Sequence, residues 1–237
     1  MHVLLLYNSM NLNFFGDIFF PPACVGCGDS LPIGAMCEAC RKSIDGFDTL
    51  FCGTCAARLP EQKKICHKDA AYILGAAGRY DDDALRALIH ALKFQGIESA
   101  AKPLAEILAE YVTRLELDLQ GFIVTPVPLS RKRTRARGFN QSALIACPFA
   151  EALGLPFKEH LLTRVQHKRP QSETKDIFER RENIRGCFAL ADTAAAHDKK
   201  IILIDDVTTS GTTFNEAGRV LKNGGAKKIL ALAVAKA

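Results

Sequence analysis

One segment near the C-terminus constrains the fold of this chain more than any other. Ile201–Ile204 is a run of four aliphatic residues, which is typical of a short buried strand in a parallel sheet. Asp205 and Asp206 follow it, and the small residues of Thr208–Thr213 lead into a helical pattern over Phe214–Leu221. A strand, a small-residue loop and a helix N-terminus together favour anion binding, because backbone N–H groups and the helix dipole point into the loop. The segment therefore predicts a sugar-phosphate site in which the two carboxylates hold ribose hydroxyls or a cation.

Two other interpretations of this segment are weaker. In an ordinary strand–turn–helix the Thr and Ser side chains would merely cap the helix, but two adjacent acids and six loop residues exceed what a cap needs. A nucleoside triphosphatase requires Gly-x4-Gly-Lys-[Ser/Thr], and no lysine follows Gly211. The sugar-phosphate interpretation is therefore preferred over both.

The cysteines provide a second constraint, since seven of the nine lie between residues 24 and 66. They form three Cys-x2-Cys knuckles and a final cysteine, a pattern that in a non-secreted protein indicates zinc rather than disulfides. The first predicted site comprises Cys24, Cys27, Cys37 and Cys40. The second comprises Cys52, Cys55, Cys66 and Asp69, with His67 as the alternative fourth ligand. One or two structural zinc ions are predicted, and an interleaved pairing of the knuckles is a further alternative.

The alternative to a metal is a set of reduced cysteines without a ligand. A segment of about 45 residues with so few large aliphatic side chains could hardly fold without a cross-link, which favours zinc. Cys147 and Cys187 stand apart from the knuckles in apolar surroundings, and both are expected in the core.

The composition suits one medium-sized domain with a small appended module. The chain has 237 residues, of which 48% are hydrophobic, enough for a packed core. No stretch approaches the roughly 20 apolar residues of a membrane span, and Val3–Tyr7 lacks the basic flank of a signal peptide. A cytoplasmic protein is the expectation. The predicted organisation is a helical segment at residues 1–20, a zinc-ribbon module at 21–70 and a larger unit at 71–237.

The hydrophobic pattern of the larger unit alternates between strands and helices. The predicted strands are Ala71–Tyr80, Gly121–Leu129, Ile201–Ile204 and Lys228–Val234. The predicted helices are Asp83–Phe94, Pro103–Leu115, Phe139–Leu153 and Phe214–Leu221, and Pro148 must kink or split the third. The alternation predicts an α/β fold with a parallel sheet and helices on both faces. Ligands of such sheets bind at the carboxyl ends of the strands, where the two aspartates fall.

These motifs resemble a known family. Ile201–Thr213 is similar to the ribose-5-phosphate loop of the type I phosphoribosyltransferases, which bind phosphoribosyl pyrophosphate (PRPP). Further segments resemble the ComF-type competence proteins, in which a double zinc ribbon precedes a phosphoribosyltransferase domain. They are Tyr80…Leu85…Ile89-His90…Lys93-Phe94, Pro126–Leu129, Arg137-Gly-Phe-Asn-Gln141, Arg164, Gln171, Arg181…Asn183 and Phe188. The resemblance spans residues 14–237, and Asp69 departs from it because a cysteine is expected there.

The resemblance implies roles for three sets of residues. The catalytic acids would be Asp205 and Asp206, and Mg²⁺ would accompany PRPP. The 5-phosphate would rest on Val207, Thr208, Thr209, Ser210, Gly211, Thr212 and Thr213. The pyrophosphate would lie on a second loop, Val127, Pro128, Leu129, Ser130 and Arg131. The implied reaction transfers phosphoribose to a nucleobase-like acceptor, in nucleoside metabolism linked to DNA uptake or utilisation.

A run of positive charge suggests a different function. Five of the seven residues in Arg131–Arg137 are basic and none is acidic, which is more positive charge than one pyrophosphate needs. The candidate contacts to a nucleic acid are Arg131, Lys132, Arg133, Arg135 and Arg137, with Phe139 as a stacking residue. The alternative hypothesis is therefore a non-enzymatic competence factor that binds single-stranded DNA, works with the DNA-uptake machinery and keeps the PRPP fold for sensing or scaffolding. A looser basic set over Arg164–Arg185 is interspersed with acids and is interpreted as a solvated surface.

Overall fold

The computed structural model describes residues 22–60, 66–165 and 186–237. The predicted helical segment at residues 1–20 lies outside the described residues, as does most of the looser basic set. Within the described ranges, no helix combines the length and apolarity that crossing a bilayer requires.

The described residues form eight strands, seven α-helices and one 3-10 turn. The strands are β1 Leu50–Cys52, β2 Arg58–Leu59, β3 Ile73–Arg79, β4 Phe122–Pro126, β5 Leu162–Arg164, β6 Phe188–Leu190, β7 Lys200–Thr208 and β8 Lys228–Lys236. The helices are α1 Glu38–Lys42, α2 Asp83–Phe94, α3 Ala101–Arg114, α4 Arg131–Arg137, α5 Gln141–Ala152, α6 Thr193–Ala196 and α7 Thr212–Asn223. The 3-10 turn Glu98–Ala100 leads directly into α3.

Six strands form the main sheet, in the order β2-β1-β3-β8-β7-β4. The last four of these are parallel to one another, and β1 is antiparallel to both β2 and β3. A separate pair, β5 and β6, forms a small antiparallel sheet. The predicted α/β fold is confirmed, with the addition that two short strands of the cysteine-rich module extend the parallel sheet.

The core lies on both faces of the sheet, because side chains alternate along each strand. In β7, Ile202 and Ile204 face a cluster built with α2, α3 and α5, whereas Ile201 and Leu203 face a cluster built with α7, β5 and β6. Since both faces are covered, the middle strands are apolar without alternation. This burial holds the carboxyl ends of β4 and β7 side by side, in the register Pro126↔Ile204.

Three details differ from the sequence-based expectations. β7 continues through the two aspartates to Thr208, because its pairing with β8 extends to Lys236. α5 is one helix that contains Pro148, and residues on both sides of the proline, Ile145 and Phe149, are fully buried in the same cluster. The expectation that both isolated cysteines lie in the core is wrong for one of them: Cys187 is buried, but Cys147 is exposed.

Candidate functional site

Asp206 lies at the carboxyl-terminal part of β7 and is almost entirely buried, with 3% of its surface exposed. Its Oδ1 accepts a bond from the Lys93 ammonium at 2.8 Å and another from the backbone N–H of Val207 at 2.6 Å. Its Oδ2 is buried and has no hydrogen-bond partner among the described residues. A buried carboxylate oxygen without a partner is costly, so this atom marks a place where a cation or a hydroxyl would stabilise the protein.

Asp205 adjoins Asp206 but has different partners. Its Oδ1 accepts from the Ser142 hydroxyl at 2.8 Å and from the N–H of Asp206 at 2.9 Å. Burial, with the neighbouring charge of Asp206 as a second cause, raises the pKa of Asp205 from 3.8 to about 7. Near neutral pH this carboxyl therefore exchanges a proton readily, and a bound cation would shift it towards the charged form.

The predicted phosphate loop follows directly. Val207 and Thr208 are the last residues of β7, Thr209 and Ser210 are exposed, and Gly211 takes the left-handed conformation with φ 70° before α7 begins. The N-cap residue is Gly211, which has no side chain to make a cap bond, and the neighbouring Ser210 and Thr212 hydroxyls lie 2.7 Å from each other. The first N–H groups of a helix have no intrahelical acceptor. The loop residues thus do not cap α7, and its N-terminal N–H groups remain open to an anion.

The predicted pyrophosphate loop leaves β4 at the same end of the sheet. The Val127 N–H donates to the Ile204 carbonyl at 2.8 Å, which ties this loop to β7. Ser130 caps α4 by accepting the Arg133 N–H at 3.3 Å, and Gly138 ends the helix with φ 85°. The basic run predicted as a nucleic-acid contact is therefore a short helix. None of its cations pairs with a carboxylate in the parts of the chain that are described.

The C-terminus of α2 joins these parts, and the sequence analysis gave it no role in the site. Lys93 contacts Asp206, and the next residue, Phe94, is 66% exposed. The Arg137 guanidinium lies 5.5 Å from the centre of the Phe94 ring, so α2 links the aspartates to the basic helix. Phe139, the residue predicted to stack, is instead half-buried and packs against the core. Of the two rings, that of Phe94 is the open one.

Local sequence could not have identified Lys93, Phe94 or Ser142 as site residues. Lys93 and Phe94 end an amphipathic helix whose pattern explains them without a ligand. Ser142 is 63 positions from its partner Asp205, and no spacing rule connects them. The only sequence signal for the first two residues was their place among the segments that resemble the ComF proteins.

The first cysteine cluster is assembled as predicted. The Sγ atoms of its four cysteines all lie within 4.8 Å of one another. Burial would raise the pKa of Cys24, but N–H groups of its own knuckle and of Cys37 outweigh it and lower the pKa to about 6. A thiolate stabilised by backbone donors is ready to bind a metal, and a group of four cysteine sulfurs suits a structural zinc.

The second cluster contains His67 in place of Asp69. Cys52, Cys55, Cys66 and His67 bring their ligand atoms within 4.8 Å of one another, with the Cys52 sulfur 3.4 Å from His67 Nδ1. The chain turns after the histidine, where the Ala70 N–H donates to the His67 carbonyl, and the exposed Asp69 is left outside the cluster. Of the two fourth ligands considered, the structure therefore groups the histidine with the thiols. Three cysteines and a histidine also suit structural zinc.

A cavity of about 1030 Å³ opens away from these residues. It lies where β4 and β7 begin, and its lining includes Gly121, Phe157 and Lys199. None of the predicted site residues lines it. The chemistry-bearing side chains therefore gather at the carboxyl end of the sheet and not in this cavity.

Comparisons with known proteins match both units of the chain. A double zinc ribbon domain model matches residues 15–70, and a phosphoribosyl transferase domain model matches residues 140–237. The chain is 30% identical over 236 residues to competence protein F of Haemophilus influenzae, covering 92% of this chain and 99% of that one. It is 29% identical over 199 residues to the DNA utilization protein YhgH of Salmonella typhi, covering 82% and 81%. It is 24% identical over 204 residues to competence protein ComFC of Bacillus subtilis, covering 82% and 80%.

Proposed function

The chain belongs to the ComF family, and on that premise we propose that it binds PRPP with Mg²⁺ at the carboxyl end of its sheet and transfers the phosphoribosyl group to a nucleobase-like acceptor. The observation that carries the proposal is the buried, unpartnered Oδ2 of Asp206 beside an uncapped helix N-terminus. A carboxylate oxygen can accept from the hydroxyls of a ribose phosphate, and open N–H groups can donate to its phosphate.

Each part of PRPP has matching groups at the site. The 5-phosphate would accept from the N–H groups at the start of α7 and from the hydroxyls of Thr209 and Ser210. The ribose hydroxyls would donate to Asp205 and Asp206. These carboxylates are also the groups that would hold Mg²⁺, since Mg²⁺ prefers oxygen ligands and shares substrate phosphates. When bound, the metal would offset the charge of the pyrophosphate.

In the proposed transfer, the bond between the anomeric carbon and the pyrophosphate oxygen breaks, a bond to a ring nitrogen of the acceptor forms, and the proton of that nitrogen is released to solvent. Negative charge then accumulates on the leaving pyrophosphate. That charge would develop at the loop that leaves β4. Ser130 and the first cations of α4 lie at the end of this loop. Preorganised positive charge at such a place lowers the barrier. Lys93 holds Asp206 in place by an ion pair whose two side chains are 17% and 5% exposed.

The direct test is PRPP binding in the presence of Mg²⁺, measured by calorimetry and thermal shift on the zinc-loaded protein. Ligand at about 100 times its dissociation constant should raise the free energy of unfolding by about 2.7 kcal/mol. We expect the double variant Asp205→Asn/Asp206→Asn to lose this shift, because it removes both carboxylates and keeps their shape. Release of pyrophosphate with a panel of nucleobases then tests the transfer.

The matched control is Asp118→Asn/Asp192→Asn, which neutralises two exposed acids outside the site. It should bind PRPP as the wild type does. Equal binding by both double variants, or no binding by the wild type, would overturn the proposal. Binding without pyrophosphate release from any base would restrict the function to PRPP sensing.

A specific observation favours single-stranded DNA as a second ligand. The cations of α4 have no carboxylate partner among the described residues, and the exposed Phe94 ring lies beside one of them. An unpaired helix of positive charge next to an open aromatic ring matches a phosphate backbone with a stacked base. Two of the relatives carry names that refer to competence and to DNA utilization.

The salt dependence of DNA binding tests this second candidate. Replacing Arg131, Arg133 and Arg135 by glutamine should reduce the slope of log affinity against log salt by about two, since each phosphate contact to a single strand contributes about 0.7. The control replaces three exposed lysines elsewhere on the protein, Lys158, Lys199 and Lys227. Equal slopes for the wild type and both triple variants would exclude α4 as the DNA contact.

A further inference from the structure

Tyr72 lies between the second cysteine cluster and the phosphate loop. It follows His67 by five residues, directly precedes β3 and is 4% exposed. On the cluster side it packs against Gly53, which lies inside the Cys52–Cys55 knuckle. A Cβ atom at Gly53 would stand 2.3 Å from the Tyr72 carbonyl oxygen and 3.0 Å from its ring. The knuckle and the tyrosine are therefore in such close contact that only glycine fits.

On its other side the Tyr72 ring contacts the phosphate loop and α7. Its hydroxyl is 3.5 Å from the carbonyl oxygen of Gly211, the residue that precedes α7. A Cβ at Gly211 would lie 3.2 Å from that hydroxyl, and one at Gly218 would lie 3.1 Å from the ring. The Phe214 ring centre is 6.0 Å from that of Tyr72. The ring thus forms the back wall of the loop proposed to hold the 5-phosphate.

The contacts form one continuous path. Cys52, a ligand of the second cluster, pairs with Ile73 in the antiparallel register between β1 and β3. Tyr72 directly precedes Ile73. A movement of the Cys52–Cys55 knuckle therefore reaches the Tyr72 ring both through the sheet and through the direct contact at Gly53. The first cluster has no such path, because Val25 and Met36 beside its cysteines pack on the opposite core with α2.

We propose that Tyr72 is a positioning residue that couples metal binding at the second cluster to the order of the phosphate loop. With the metal bound, the knuckle holds Tyr72, and Tyr72 holds Gly211 in its left-handed conformation. When the metal is lost, the knuckle loosens, the ring loses its support, and the loop no longer presents its N–H groups. PRPP binding then depends on the metal although no metal ligand touches the loop, an inference that rests on the proposed function for its ligand.

Hydrogen exchange of residues 208–214 measures the loop without any ligand, and the PRPP dissociation constant is the second readout. Cys55→Ser breaks the second cluster, and Tyr72→Leu keeps the cluster but removes the ring. We expect both variants to speed exchange in the loop by about tenfold relative to the central strand β8, because loops open locally whereas core strands exchange only on global unfolding. We expect both to weaken PRPP binding by a similar factor, and Tyr72→Leu to keep its full zinc content.

Two matched variants separate this coupling from a general loss of stability. Cys27→Ser breaks the first cluster, and Phe149→Leu removes a fully buried ring on the other face of the sheet. Both should leave loop exchange unchanged relative to β8. Stepwise chelation of the wild type gives the same comparison without a substitution, in case Tyr72→Leu does not fold.

The outcomes are distinct. Loop exchange at the wild-type rate in Cys55→Ser and Tyr72→Leu, or after chelation, overturns the coupling. Equal acceleration by Cys27→Ser overturns it as well, since the path would then not be specific. A wild type that binds no PRPP refutes the proposed function, while its loop exchange still decides whether Tyr72 couples the cluster to the loop.

Discussion

At the scale of single residues, two adjacent aspartates have been given different environments. Asp206 forms an ion pair with Lys93, whereas Asp205 accepts from the Ser142 hydroxyl and a backbone N–H. Burial and, second, the neighbouring charge of Asp206 raise the pKa of Asp205, and the Ser142 bond and the Lys93 charge offset this rise only in part. The sequence predicts the pair of aspartates but not their different environments, because their partners Lys93 and Ser142 lie on helices distant in the chain.

The pKa of Asp205 leads to a prediction for stability. It rises from 3.8 to about 7 on folding, so between these pH values the folded protein binds more protons than the unfolded chain, and stability falls as pH rises. Asp205→Asn removes the titrating group and keeps its hydrogen bonds. The free energy of unfolding of the variant minus that of the wild type should be about 2 kcal/mol larger at pH 8 than at pH 5. Urea denaturation of both proteins at the two pH values measures the difference.

Asp118→Asn, a change at an exposed acid, should show no such dependence on pH. If the gain from Asp205→Asn is the same at pH 5 and pH 8, the carboxyl titrates normally and the description of its environment is wrong.

At the scale of elements, the sequence predicts the helices whose ends and apolar face are determined by residues close together in the chain. The helix α2 has the predicted bounds, Asp83–Phe94, because an N-cap aspartate and an apolar stripe define it from the sequence alone. The helix α4 was missed because it buries no residue and so has no apolar stripe. Only its two ends carried a signal, Ser130 as N-cap and Gly138 as the left-handed residue that stops it. The joining of β1 to β3 had no local signal, since strand pairing is decided by contacts distant in sequence.

The ends of α4 provide the prediction at this scale. Gly138 has φ 85° and open space around the position of a Cβ, so a side chain there would meet backbone strain and no clash. Gly138→Ala should lower the free energy of unfolding by about 1 kcal/mol. Gly138→Asn should lose less, because asparagine tolerates this conformation better. Thermal denaturation of the three proteins measures the order, and an alanine variant as stable as wild type would show that α4 does not end as described.

At the scale of the whole molecule, the cysteine-rich module and the phosphoribosyl transferase domain share one sheet. β1 leads into the second cluster and pairs with β3, and Phe47 adds a further backbone bond to Ala77. The predicted boundary near residue 70 therefore divides the sequence but not the hydrogen-bonded sheet. Cys52 of the second cluster therefore lies in the same sheet as the two aspartates.

Metal removal tests this organisation. A chelator should abolish the amide protection of β1 and β2 and lower the midpoint of thermal unfolding by about 10 °C, because structural zinc sites contribute folding free energy directly. Zinc added back should restore both. Protection of β1 that survives complete removal of zinc would show that the pairing with β3 is stable without the metal.

The shared sheet also bears on solubility. With the hairpin of β1 and β2 in place, the outer strand on that side is β2, only two residues long, and on the other side β4 is covered by a chain that bonds to Val124 through Pro156 and Lys158. Without the hairpin, the apolar seven-residue β3 would become an open edge. Such an edge pairs readily with the same strand of another copy. In a zinc-starved cell we therefore expect insoluble protein to accompany the loss of ligand binding.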